Sequence, residues 1–149
     1  MVLTQGREPG KGWNTRKGAE EDRMILIVED DQLFRRALAT YLVSRGFHTR
    51  VVASAEEALA NTEWPKVDLV LIDYFLPGMN GIELARTLRA RLISHPRLVL
   101  MSGYLPPSVY DEAKAASIEA VLHKPYDMES LDEKLQTLCE EGEAYGPAN

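Results

Sequence analysis

The feature that most constrains this chain is a set of short apolar runs that each stop at a polar residue. Met24-Ile-Leu-Ile-Val28 ends in Glu29-Asp30-Asp31, and Val67-Asp-Leu-Val-Leu-Ile72 ends in Asp73. Leu98-Val-Leu-Met101 runs into Ser102-Gly103, and Ala120-Val-Leu-His123 stops at Lys124-Pro125. Runs this short and this rich in branched residues read as strands buried on both faces. Thr49 to Ala53 is a fifth, weaker strand. Between the strands the apolar period changes to that of a helix. Gln32 to Arg45 carries Leu33, Phe34, Ala37, Leu38, Tyr41 and Leu42 on one face, with Asp31 as the expected cap and Gly46 as the expected stop. Ser54 caps a short helix through Asn61, and Pro65 breaks the chain again. Further helices are expected over Ile82 to Arg91, Ser108 to Ala116 and Met128 to Glu141, the last with Leu131, Leu135 and Leu138 at i, i+4, i+7. The loop Tyr74 to Gly81 is rich in turn residues.

Strand and helix alternate five times. That order predicts an α/β fold with one parallel sheet and helices on both of its faces. In open sheets of this kind the ligand site lies at the carboxyl ends of the strands. Those ends are where Glu29, Asp30, Asp73, Ser102 and Lys124 fall. Each has a plainer reading by itself: acids after strands serve as loop residues or caps, Ser before Gly as a turn, Lys-Pro as a strand exit. Together they make one coherent chemistry. Three carboxylates form a hard oxygen site for a divalent cation such as Mg2+. The charges nearly balance, with three carboxylates against a dication and the lysine. A carboxylate can also act as a nucleophile toward phosphorus, with a lysine and a hydroxyl stabilising the phosphoryl oxygens.

Composition narrows the setting. With 149 residues the chain has room for one domain of ordinary size. Residues 1–23 hold four of the ten glycines and lack apolar periodicity, so they read as a flexible tail, with Trp13 as the exception. Residues 24–141 form the domain, and 142–149 a C-terminal tail. The 17 basic and 23 acidic side chains are uneven: residues 24–149 hold twelve and nineteen of them, a net charge of −7. An acidic body argues against direct DNA binding and suits cations or basic partner surfaces. The single cysteine, Cys139, allows no internal disulfide or cysteine-based metal cluster. No apolar stretch is long enough to span a membrane, and no secretory leader is visible, so a cytoplasmic location is expected.

Four segments, Ile25 to Asp31, Leu69 to Gly81, Leu100 to Tyr104 and His123 to Tyr126, carry a resemblance. In this order and at these spacings the chain resembles the receiver domain of bacterial two-component response regulators, over about residues 24 to 140. The resemblance implies a flavodoxin-like (βα)5 doubly wound sheet of order 2-1-3-4-5. It implies that Asp73 is the phosphoacceptor and that Glu29, Asp30 and Asp73 hold Mg2+ together with the backbone carbonyl of Phe75. By the same resemblance Ser102 is the hydroxyl that meets the phosphoryl group, and Lys124 is the lysine before a proline. Pro77 and Gly81 match the turn after the acceptor strand.

Two positions depart from the family pattern. Val121 stands where an aromatic residue often reports phosphorylation, and Ser117 stands where a glycine often precedes the fifth strand. The first departure shifts the expected signal route to the loop after Ser102, with Tyr104 as the best-placed ring.

The function implied is a phosphoacceptor switch in a phosphorelay rather than a metabolic enzyme. It would take phosphate from a sensor histidine kinase or a histidine phosphotransfer protein and alter binding to a downstream protein. With few residues after Glu141, a stand-alone regulator or the receiver of a hybrid histidine kinase is expected. The rival reading is a phosphotransferase or phosphatase with an aspartyl nucleophile. Many such enzymes place a second acid two residues after the nucleophile, and here that position is Phe75, which cannot transfer a proton.

Overall fold

The computed structural model describes residues 24–60, 67–91, 95–103 and 105–124, together with Leu131, Glu133, Lys134, Leu135 and Thr137. The expected tails, Trp13, Pro65, Tyr104, Pro125, Cys139 and most of the last expected helix lie outside the described residues.

Five strands, β1 (Met24–Val28), β2 (His48–Val52), β3 (Leu69–Asp73), β4 (Arg97–Ser102) and β5 (Ala120–His123), form one sheet in the order β2-β1-β3-β4-β5. Every pairing is parallel. The helices between them are α1 (Gln32–Ser44), α2 (Ala55–Ala60), α3 (Gly81–Arg91) and α4 (Pro107–Ala115). This is the doubly wound α/β architecture and strand order expected. Boundaries differ by one or two residues. β2 begins and ends one residue early, β3 starts at Leu69 and takes in Asp73, and α4 begins at Pro107, since proline at a first helical position loses only an N–H that has no partner there.

The alternation along each strand sorts side chains into two cores. Leu26, Val28, Val70, Ile72, Leu98 and Leu100 point to the face covered by α2, α3 and α4, through Ala58, Ile82, Leu84, Leu88, Val109 and Ala113. Ile25, Ile27, Leu69, Leu71, Val99, Met101 and Leu122 point to the other face, where Leu38 and Leu42 of α1 meet Leu131 and Leu135. Because both faces are covered, β1 and β3 at the centre of the sheet carry no polar alternation and read as unbroken apolar runs, whereas β2 at the sheet edge keeps His48 and Arg50 exposed.

Helix ends fix where the loops leave. Asp31 Oδ1 accepts from the Phe34 amide at 3.1 Å and caps α1. At its other end Gly46 takes φ +100, its amide donates to the Val43 carbonyl, and Phe47 donates to Leu42. Asn80 and Glu83 cap α3 reciprocally: Asn80 Oδ1 accepts from the Glu83 amide at 2.9 Å, and Glu83 Oε1 accepts from the Asn80 amide at 3.1 Å. That box closes the loop after β3. Gly81 then passes so near the strand that a Cβ on it would lie 2.6 Å from the Asp73 carbonyl oxygen. Only glycine fits there, and its backbone braces the end of β3.

Candidate functional site

The register brings the strand ends level. Val28 is paired with Val52 and Ile72, Asp73 with Met101, and Ser102 with His123. Glu29, Asp73, Ser102 and Lys124 therefore arrive at one edge of the sheet from four chain segments. Carboxylate oxygens of Glu29, Asp30 and Asp73 all lie within 4.8 Å of one another. Glu29 and Ser102 are fully buried and Asp73 nearly so, while Asp30 is exposed. Asp31 turns away to cap α1.

Lys124 reaches into this cluster. Its Nζ donates to Glu29 Oε1 at 2.7 Å and lies 3.5 Å from Asp73 Oδ2. Its own amide donates to the Ser102 carbonyl at 2.6 Å, so one residue ties β5 to β4 and to two carboxylates. The second oxygen of Glu29 accepts from the Asp31 amide at 3.1 Å. Arg35 Nη1 donates to the Glu29 carbonyl at 2.8 Å, which anchors the first turn of α1 to the end of β1.

The carboxylates repel one another. Burial, reinforced by Glu29 and then countered by Lys124, pushes the Asp73 carboxyl up to about 6. A cluster of oxygen donors in which one buried acid is reluctant to ionise fits a hard dication, which would remove that reluctance. Phe75, two residues beyond Asp73, is exposed and meets Tyr74 edge-on at 4.8 Å between ring centroids.

Each side chain that the sequence places at the site stands at this edge of the sheet. Three contacts around the site have no signal in the sequence. Phe34 lies with its ring centroid 4.7 Å from Lys124 Nζ. In the sequence it is one more apolar residue on the inner face of α1. Arg35 gives no local sign of reaching back to Glu29. Tyr110 Oη and His123 Nε2 form a hydrogen bond of 2.8 Å that joins α4 to β5 beside Lys124. Val121, at the position where the family often has an aromatic, packs partly buried against the first core. Tyr104, the ring expected to take over its role, lies outside the described residues.

The model of the response regulator receiver domain matches residues 25–136. The chain belongs to that family. Over 115 residues the receiver is 38% identical to the two-component response regulator PhoP of Pseudomonas aeruginosa, a match covering 76% of this chain and 50% of that protein. Over 113 residues it is 32% identical to a cyclic di-GMP phosphodiesterase of Thermotoga maritima, covering 74% of this chain and 29% of that one. The chain thus spans half or less of the length of these relatives.

Among solved structures, the receiver is similar to a CheY-like receiver domain protein from Methanospirillum hungatei. The TM-score is 0.75 and the identity 29%, over 83% of this chain and 98% of that one. It is also similar to a Burkholderia pseudomallei response regulator determined with a phosphorylated aspartic acid, calcium ion and citrate. There the TM-score is 0.70 and the identity 27%, over 83% of this chain and 72% of that one. Among the described residues no helix is long and apolar enough to cross a membrane.

Proposed function

We propose that this receiver is a phosphoacceptor switch that takes a phosphoryl group onto Asp73 from a phosphohistidine of a sensor histidine kinase or a histidine phosphotransfer protein. The observation that carries the reading is the meeting of buried Asp73 with Lys124 Nζ at 3.5 Å, beside Glu29 and the buried Ser102. A carboxylate oxygen of Asp73 forms the new O–P bond as the P–N bond to the donor imidazole breaks. The bonding pair leaves on the imidazole nitrogen. The Lys124 ammonium, already tethered by Glu29, stabilises the charge on the equatorial phosphoryl oxygens. The Ser102 hydroxyl donates to one of them.

Glu29, Asp30 and Asp73, with the Phe75 carbonyl, would hold Mg2+. Bound there, the ion supplies positive charge to the phosphoryl oxygens and lets all three acids ionise together. The Burkholderia relative, determined with both a phosphorylated aspartic acid and a divalent ion, supports this pairing of chemistry and site.

In this reading the receiver turns over only its own acyl phosphate, in the cytoplasm, and its changed surface is read by a downstream protein. The net charge of −7 over residues 24–149 supports a protein reader over direct DNA contact. A small acyl-phosphate donor with Mg2+ tests the reading. Stoichiometric phosphorylation located at Asp73 by mass spectrometry is the expected result. Continuous turnover of the donor without a stable adduct would favour an aspartyl-nucleophile phosphatase, and an unmodified protein would reduce the receiver to a binding module.

A further inference from the structure

Phosphoryl transfer at Asp73 needs the Lys124 ammonium in one place, yet a lysine head rides on a flexible four-carbon stem. Two contacts restrain it from the carboxylate side: Glu29 Oε1 at 2.7 Å and Asp73 Oδ2 at 3.5 Å. On another side the Phe34 ring stands 4.7 Å from Nζ, inside the range of attraction between a cation and an aromatic face. The Lys124 side chain is 22% exposed, so a ring on that side replaces part of the water that would otherwise draw the ammonium outward.

We propose that Phe34 is a positioning residue for phosphoryl transfer: its ring holds the Lys124 ammonium at Asp73 without competing for the ammonium's hydrogen bonds. This rests on the phosphoacceptor reading above.

The chemistry of the ring explains why a phenyl group serves. An ammonium has three N–H donors. At this site they face Glu29, Asp73 and the place where phosphoryl oxygens would come. An acid at position 34 would engage one donor and add a further negative charge to a cluster that already repels itself. An aliphatic side chain would offer contact but no electrostatic attraction. The ring attracts through its quadrupole and leaves every donor free. When the ammonium moves from Glu29 toward a phosphoryl oxygen, the attraction to the ring face changes little, so the ring does not oppose the movement. Phe34 is itself held. It lies in the first turn of α1, its amide is capped by Asp31, the next residue is tied to the Glu29 carbonyl through Arg35, and its ring packs half-buried against the second core.

Two measurements on the full chain test this, using Phe34→Leu, Phe34→Tyr and Phe34→Trp. The first is the rate at which an amine-acylating reagent modifies Lys124 in the metal-free protein, followed by peptide mass spectrometry. Phe34→Leu should speed acylation of Lys124 by about three- to tenfold while other lysines react as before, and the two aromatic variants should restore the slow rate. The second is the rate of Asp73 phosphorylation by a small acyl-phosphate donor with Mg2+. Phe34→Leu should slow it by about three- to tenfold, Phe34→Tyr should restore it, and in a Lys124→Met background the same substitution should change nothing further.

Unchanged Lys124 acylation in Phe34→Leu overturns the proposal. So does an equal loss of phosphorylation with and without Lys124, which would make Phe34 a packing residue only. If wild-type protein is not phosphorylated at all, the phosphoacceptor reading fails, and the acylation rates still decide whether Phe34 holds Lys124. Should Phe34→Leu not fold, Phe34→Met carries the same comparison.

Discussion

The two ends of the sheet treat acids drawn out of water in opposite ways: half-buried Asp68 and Glu119 at one end, buried Glu29 and Asp73 at the other. At the amino ends of the strands, acids close the structure. Asp68 Oδ2 accepts from the Met24 amide at 2.8 Å, and Glu119 Oε1 accepts from the Leu98 amide at 3.2 Å. Burial raises the Glu119 carboxyl above its ordinary range, but Arg97 and Arg89 pull it back. At the carboxyl ends, burial also raises Asp73, and there Glu29 adds to the shift while Lys124 opposes it. Burial raises an acid at both ends; the neighbours differ in sign. An end whose charges are matched stabilises the fold. An end whose charges are mismatched lowers stability and leaves the site ready for a ligand of opposite charge.

The largest effect should come from Asp73→Asn. It is expected to abolish phosphorylation by a small donor and to stabilise the metal-free protein at neutral pH. With Asp73 lifted from 3.8 in the unfolded chain to about 6 when folded, the native state holds its proton more tightly. The stabilisation that this group provides is complete below about pH 4 and is lost as pH rises through about 6. The difference corresponds to on the order of 2–3 kcal/mol. Denaturant midpoints should show the gap between Asp73→Asn and wild type widest at pH 7 and nearly closed at pH 4. A gap that does not change with pH would break the contrast between the two ends.

Asp30→Ala tests the same end more gently, because this acid is exposed and its repulsion is screened. Metal-free stability should rise only slightly, and the increase in melting temperature on adding Mg2+ should largely vanish. A variant that melts lower than wild type and still responds fully to Mg2+ would remove Asp30 from the site.

These contrasts were unevenly legible in the sequence. The apolar runs, their order and the polar residue ending each could be read directly, because a doubly covered strand has no polar positions to interrupt it. Asp31 as a cap and Gly46 as a stop were legible too, since both act within a few residues of themselves. The site residues were legible as positions at strand ends. Their roles came from the spacing of Asp73, Ser102 and Lys124 in the family pattern. What stayed hidden depends on distant segments meeting. The need for glycine at position 81 arises from the Asp73 carbonyl and the Leu100 side chain. The pairing of Phe34 with Lys124 joins α1 to the end of β5, and the Tyr110–His123 bond joins α4 to the same strand. The amino-end contacts of Asp68 and Glu119 likewise follow from register, which composition does not encode.

At the amino end the substitution should act in the opposite direction. Asp68→Ala removes the acceptor for the Met24 amide and should destabilise the protein by about 1–2 kcal/mol, with phosphorylation of Asp73 unaffected. Chemical denaturation of the two proteins gives the sign. Greater stability in Asp68→Ala would mean that charge at this end is mismatched as well.

The smallest effect is one of backbone strain. α1 and α4 end alike: the amide of the second residue past the cap donates to a carbonyl five residues back, Phe47 to Leu42 and Ile118 to Ala113. The residue between cap and donor is Gly46 in α1, at φ +100, and Ser117 in α4, at φ +64. A side chain in that left-handed region costs about 1–2 kcal/mol, and glycine avoids it while losing roughly 0.5–1 kcal/mol to its greater freedom when unfolded. Ser117→Gly should therefore stabilise the fold by about 0.5–1 kcal/mol, the difference between those two terms. The carbonyl of Ser117 accepts from Arg89 Nη2 at 3.0 Å, a main-chain contact that glycine keeps. Since Ser117 lies before β5 and away from the carboxylates, phosphorylation kinetics should not change. A lower denaturation midpoint in Ser117→Gly would show that the serine compensates its strained backbone through its side chain.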